Sequence, residues 1–172
     1  NLMRLAWLVA VAAVGIAGCG SSADSARPLV EDIPVAISAL ESSTGSGLEY
    51  FEVSADLTGV TLILAETAES DSGEASGMYA TTYRFEEGEL SSAGETLPAE
   101  GATFRATAID IDPTKLFNEI DAELSQPVIV DVAVQGTGDG TAIIDATVVN
   151  EKGGTLLVLL SGEGRILGVQ AS

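Results

Sequence analysis

The sequence predicts an α+β fold built from two tandem units, each about one helix followed by three to four strands of an antiparallel meander, after a cleaved N-terminal signal. Three observations predict it. Apolar residues recur at helical spacing twice, once after residue 28 and once after residue 112. Each helical stretch is followed by segments in which apolar and polar residues alternate, the period of a half-buried strand. Short turns rich in Gly, Asn and Asp separate those segments, and connections of that length join antiparallel neighbours. The predicted boundaries are a signal at 1–18, a flexible tether at 19–27, a first αβ unit at 28–94, a linker with an extra strand at 95–111 and a second αβ unit at 112–172.

Arg4 precedes an uncharged apolar run of thirteen residues, Leu5 to Ala17, which is too short to span a bilayer and has the layout of a secretory signal. The chain opens Asn1-Leu2 ahead of Met3, so either Met3 is the initiator or the sequence is a piece of a longer one. Ile16-Ala17-Gly18-Cys19 stands where the apolar run ends and resembles the bacterial lipobox. That resemblance implies diacylglycerol on the Cys19 sulfur, cleavage before Cys19, and a mature protein held by acyl chains on the outer face of the cell membrane. Each buried CH2 adds about 0.8 kcal/mol, and stable anchoring takes more than one chain. Cys19 is the only cysteine, so the body below it has no internal disulfide.

With Arg4 removed in the signal, six bases stand against 26 acids, a formal charge of −20 on the mature chain. So few cations cannot neutralise a phosphate backbone, which excludes nucleic acid as a partner. An acidic body is also repelled by anionic headgroups, favouring a protein that stands off the bilayer on its tether. There is no histidine, which removes the commonest general base and the commonest transition-metal ligand.

Gly20 to Ala26 is small and polar, a spacer. Leu29, Val30, Ile33, Ile37 and Leu40 then form a helical stripe; Pro34 either lies in the first turn or kinks the helix. Ser43 to Gly47 ends it. Phe51, Val53, Ala55 and Leu57 are expected on one face of the first strand, with Glu52, Ser54 and Asp56 on the other. Thr58-Gly59 turns into a mostly apolar strand, Val60 to Ala65. Glu66 to Gly77 is an acidic loop, Met78 to Phe85 a third strand, and Glu87-Gly88 a turn into a short fourth, Glu89 to Ser92. Ala93 to Gly101 is a linker, and Thr103 to Ile111 an extended segment entering the sheet. Asp112-Pro113 is the strongest helix start in the chain, an N-cap acid followed by proline. Leu116, Phe117, Ile120 and Leu124 give its stripe, and Gln126-Pro127 its end. Four strands follow: Val128, Val130, Val132 and Val134 alternate; Ala142, Ile144, Ala146 and Val148 share a face; Leu156 to Leu160 is continuous; and Arg165 to Val169 is last.

The two halves echo each other. Leu29-Val30-Glu31-Asp32-Ile33 is similar to Leu116-Phe117-Asn118-Glu119-Ile120, and the turn Glu87-Gly88-Glu89-Leu90 to Glu163-Gly164-Arg165-Ile166. This order resembles tandem PepSY-type or β-lactamase-inhibitor-protein-like αβ repeats, which implies an extracytoplasmic, non-catalytic module that binds or inhibits a protein. Arg27-Pro28-Leu29-Val30-Glu31-Asp32 soon after a lipobox, then a helix and a meander, is also similar to the actinobacterial lipoproteins that carry lipids in a half-barrel cavity.

Catalytic chemistry finds little support. Without histidine no Ser-His-Asp triad forms, and neither Gly-x-Ser-x-Gly nor Ser-x-x-Lys occurs. Asp110 and Asp112 are two residues apart and Asp139 lies in a glycine turn, but the calcium-loop pattern is missing; Asp112 reads as an N-cap and Asp139 as a turn residue. Tyr79, Tyr83 and Phe85 share a strand face and are the candidate binding strip, with core packing as the competing explanation. The expected protein is a lipid-anchored envelope lipoprotein, not an enzyme. It takes no cofactor beyond the acyl chains on Cys19 and binds another envelope protein by a sheet face or edge. The alternative is a carrier holding a lipid or other apolar ligand between helix and sheet.

Overall fold

The computed structural model describes residues 26–69, 75–150 and 152–171. Cys19, the expected signal and most of the expected tether lie outside the described residues. Val30–Asp32 makes one 3-10 turn and runs into helix α1, Ile33–Thr44, with Pro34 in its first turn, where its missing N–H leaves no bond unmade. Gly45, at φ 124°, ends the helix, its N–H donating to the Glu41 carbonyl.

Strands β1 (Glu49–Asp56), β2 (Gly59–Glu69), β3 (Ala75–Glu86) and β4 (Glu89–Ser92) follow as an antiparallel meander. The expected loop at 66–77 is therefore shorter, because Glu66↔Tyr79 and Thr67↔Met78 continue the β2–β3 ladder; residues 70–74 lie outside the described residues. β5 (Leu97–Ala99) pairs with β3 at Met78–Ala80, beyond the stretch that β4 covers. Of the expected extended segment 103–111, only β6 (Phe104–Arg105) enters the sheet, and Ala106–Ala108 turns away as 3-10 helix. The reason is a shared edge: β6 meets β1 at Glu49 and Tyr50, and β7 occupies β1 from Glu52 on.

Helix α2 spans Pro113–Glu123, and Asp112 caps it as expected, its Oδ1 accepting from the Lys115 N–H at 3.1 Å. β7 (Val128–Gly136), β8 (Ala142–Val149), β9 (Thr155–Leu160) and β10 (Ile166–Ala171) form a second meander. All ten strands belong to one sheet, in the order β10-β9-β8-β7-β1-β2-β3-β4. The fold is thus mixed α+β, with an antiparallel sheet and two helices.

The register fixes which face each helix covers. Val53 lies opposite both Leu62 and Val134, and Ala55 opposite Val60 and Val132, so these side chains share one face. They form one buried apolar cluster with Ala36, Ile37 and Leu40 of α1 and Leu116, Phe117 and Ile120 of α2. Both helices therefore pack on this inner face.

Two bulges overturn the expected alternation. An extra residue at Phe51 shifts the β1–β2 register, so that Tyr50 rather than Phe51 enters the core. Leu57, expected inside, lies past the end of β1 and is exposed. A matching bulge at Val130 in β7 puts Ile129 inside and leaves Val128 exposed, while Val132 and Val134 stay on the core face. Tyr50 packs against Phe104, with ring centroids 6.2 Å apart. Its hydroxyl has no hydrogen-bond partner among the described residues, and burial, aided by the negative charge of Glu41, pushes its pKa up to about 12. On β8 the expected face holds, with Ile144, Ala146 and Val148 buried.

Candidate binding surfaces

The strip expected on β3 lies on the helix-covered face. Phe85 is a core residue at 6 % exposure, and Tyr83 packs against the core. Thr81 between Tyr79 and Tyr83 is buried and donates to or shares hydrogen bonds with Glu66 and Thr96. Tyr79 lines an open cleft of about 530 Å3 beside β5, with Pro98, Glu100 and Gly101. Phe85 is thus separated from any surface the other two offer.

The outer face of the sheet carries the unexpected feature. Reading across the strands, one row runs Leu159, Asp145, Ala133, Ser54, Thr61, Arg84, Ser91. The small side chains of Ala133 and Ser54 make a low centre, and carboxylates stand round it: Asp145 directly opposite Ala133, Asp131 two residues from it on β7, and Glu52 two residues from Ser54 on β1. Asp56 stands opposite Asp131, but it is engaged by Arg84, whose guanidinium donates from Nη1 to Oδ2 and from Nη2 to Oδ1, each at 2.8 Å. That pairing, with hydrogen bonds from Thr58 and Gly59, holds the Asp56 carboxyl well below the usual range.

Asp131 goes the other way. Burial first, and then the charges of Glu52, Asp145 and Asp56, push its pKa up to about 6, against a smaller opposing pull from Arg84. Burial and Glu52 raise Asp145 as well. A carboxyl whose pKa is raised in the fold stabilises the native state below its unfolded value of 3.8 and loses that contribution as pH rises through about 6. Asp131→Asn is therefore expected to stabilise the protein by about 1 kcal/mol near pH 7.5, after allowance for solvent screening of a half-exposed group, and to change little near pH 4. Urea unfolding at the two pH values checks this; an equal effect at both would mean that the field at Asp131 is not what burial and its neighbours imply.

Among the described residues no group of three or more His, Cys, Asp or Glu side chains is placed to hold a metal ion, and no helix is long and apolar enough to cross a membrane. Asp112 serves α2 as its cap. Asp139 serves its turn, accepting from Thr137 and Thr141, and those bonds hold its pKa down to about 2.

The sequence held a usable signal for the outer cluster. Asp131 and Asp145 each place a charge in an otherwise uncharged strand, Val-Ile-Val-Asp-Val-Ala-Val and Ala-Ile-Ile-Asp-Ala-Thr-Val-Val, where a solvated loop does not explain it. Only the register shows that they adjoin each other and Glu52. No protein-family model, curated protein or solved structure matches this chain.

Proposed function

We propose that the chain is a lipid-anchored cell-envelope lipoprotein whose body is a non-catalytic protein-binding module of two helix-plus-meander units. The observation that carries the reading is the division of the sheet. Both helices occupy the inner face, and the outer face carries partly buried carboxylates round a low centre of small side chains. Such a surface costs stability at neutral pH, which a binding role accounts for and a purely structural one does not.

Support for the two units comes from an offset of 79 to 80 residues. Ser54 and Ala133 face each other at the middle of the β1–β7 pairing, and the bulges at Phe51 and Val130 have the same separation. Ala36, Ile37 and Leu40 match Leu116, Phe117 and Ile120 in the two helices. This offset takes the place of the 87 residues between Leu29 and Leu116 suggested by the motif alone. The units then join edge to edge through their first strands, sharing one core that a single unit is too small to build. The close filling of the inner face by Leu40, Leu62, Leu64, Leu116 and Ile120 favours a protein-binding module over a lipid carrier.

The anchor and the surface are tested together in the cells that make the protein. A photo-crosslinking residue at Ser54 is expected to trap one discrete envelope protein, and the same residue at exposed Val35 on α1 to trap none. Cys19→Ser is expected to release the folded protein to the medium. Equal, diffuse crosslinking from both positions would remove the outer-face reading, and retention of Cys19→Ser at the membrane would remove the lipid anchor.

A further inference from the structure

Arg27 reaches across from the segment before α1 to α2. Its guanidinium lies over the Phe117 ring, 4.9 Å from the centroid, and its Nη2 donates to Asp121 Oδ2 at 2.6 Å. The segment that follows is held separately: Pro28 and Val30 are buried, and the Leu29 N–H donates to the Asp56 carbonyl at 2.9 Å. The Arg27 side chain can therefore leave its place without lifting the segment from the core.

Two clefts flank it. One, about 710 Å3, lies between the segment and the start of α2, with Pro28, Glu31, Pro113, Thr114 and Phe117 among its walls. The other, about 390 Å3, lies beyond the end of α2, against Asp121, Gln126, Pro127, Val128 and Ile129. Ala26 and Arg27 are the residues that line both.

We propose that Arg27 is an internal ligand, occupying a cation site made of the Phe117 face and the Asp121 carboxylate, and that an arginine side chain of a partner protein displaces it. An aromatic face beside a carboxylate is what a guanidinium on an apolar stem requires, and the chain's own arginine shows the fit. Arg27 and Asp121 are each more than a third exposed, so the contact is exchangeable. Arg27 is the side chain that stands between the two clefts, so its withdrawal opens them toward one another along α2. Their charged walls, Glu31 and Asp121, are then both acidic, and Phe117, Val128 and Ile129 supply an apolar floor. That combination selects a basic segment with apolar neighbours, of the kind Ala26-Arg27-Pro28-Leu29 itself displays. In the resting protein the tethered Arg27 competes at high effective concentration, which makes the site autoinhibited.

The inference deepens the protein-binding reading by naming a partner class, at a surface separate from the outer face of the sheet. Its test uses the purified full chain, so failure of the anchor or of the outer-face surface leaves the result readable. The probe is the peptide acetyl-Ala-Arg-Pro-Leu-amide, followed through the amide NMR shifts of α2. Arg27→Ala is expected to give saturable shifts around Phe117 with an affinity at least about tenfold above wild type, and Arg27→Ala/Asp121→Asn to lose about tenfold of it. A peptide carrying citrulline in place of arginine is expected to bind neither protein. Equal affinity of wild type and Arg27→Ala, or equal binding of the citrulline peptide, overturns the proposal. Should Arg27→Ala lose cooperative unfolding, Arg27→Gln is judged by the same criteria.

Discussion

Gly59→Ala is expected to destabilise the protein by about 3 kcal/mol, the largest effect of an added methyl group among the described glycines. A Cβ at Gly59 stands 2.3 Å from the Phe85 carbonyl oxygen, and 3.1 Å from the Arg84 guanidinium. The carbonyl is backbone and has no room to retreat: Phe85 lies between Val60 of β2 and Leu90 of β4, and its side chain is in the core. Separating β2 from β3 at this point would also pull on the Gly59 N–H, which donates to Asp56 Oδ1 at 3.0 Å. The clash therefore reaches the hairpin cap and the Arg84 site together. Gly94→Ala is the control, since nothing lies within 4 Å of its added methyl, and a change within about 0.5 kcal/mol is expected. Denaturant unfolding with unchanged m-values compares the two. A Gly59→Ala loss as small as that of Gly94→Ala would show that β2 and β3 can spread here at no cost.

What was legible in the sequence follows a physical division between local and non-local signals. Asp112-Pro113 identified the start of α2 because capping and the missing proline N–H are properties of adjacent residues. The face of β8 was legible because no bulge interrupts it. On β1 and β7 the alternation failed at Phe51 and Val130. A bulge flips the parity of everything beyond it and leaves no mark in composition. The pairing of β1 with β7 joins residues about 80 positions apart, and an alternating strand matches any alternating partner equally well. For that reason the outer cluster stayed hidden: Glu52 looked like the polar side of a strand, and Asp131 and Asp145 acquire their neighbours only once the register is known. Arg27 was legible as one of seven cations in the chain, but its seat on Phe117 depends on how α2 returns beside the first described residues.

Asp56→Ala carries the second largest expectation, a loss of about 2 kcal/mol, and it links the fold to the outer surface. One carboxylate does two tasks. Its Oδ1 accepts from the Thr58 N–H at 2.7 Å, the Thr58 hydroxyl at 2.9 Å and the Gly59 N–H at 3.0 Å, closing the β1–β2 turn. Both oxygens also receive the Arg84 guanidinium, which further donates to Thr58 Oγ1 at 2.6 Å and Thr61 Oγ1 at 3.0 Å. Arg84 is only 19 % exposed at its side chain and Asp56 39 %, so the pair is worth more than a surface ion pair and less than a fully buried one. Removing Asp56 leaves two turn N–H groups and a shielded guanidinium short of an acceptor. Asp56→Asn keeps an acceptor for the turn and is expected to recover about half the loss. A carboxyl held below its unfolded pKa stabilises the native state above that value and loses the contribution as pH falls, so the penalty should shrink below about pH 4. The charge of Asp56 also raises the pKa of Asp131, whereas Arg84 lowers it. Without Asp56 the first influence is gone and Arg84 has lost its nearest carboxylate. Asp131 should then titrate closer to the ordinary carboxylate range, read from its carboxyl carbon shift by NMR. If the Asp131 titration stayed near pH 6 in Asp56→Ala, burial together with Glu52 and Asp145 would account for the shift, and Asp56 would be a neighbour of Asp131 without being coupled to it.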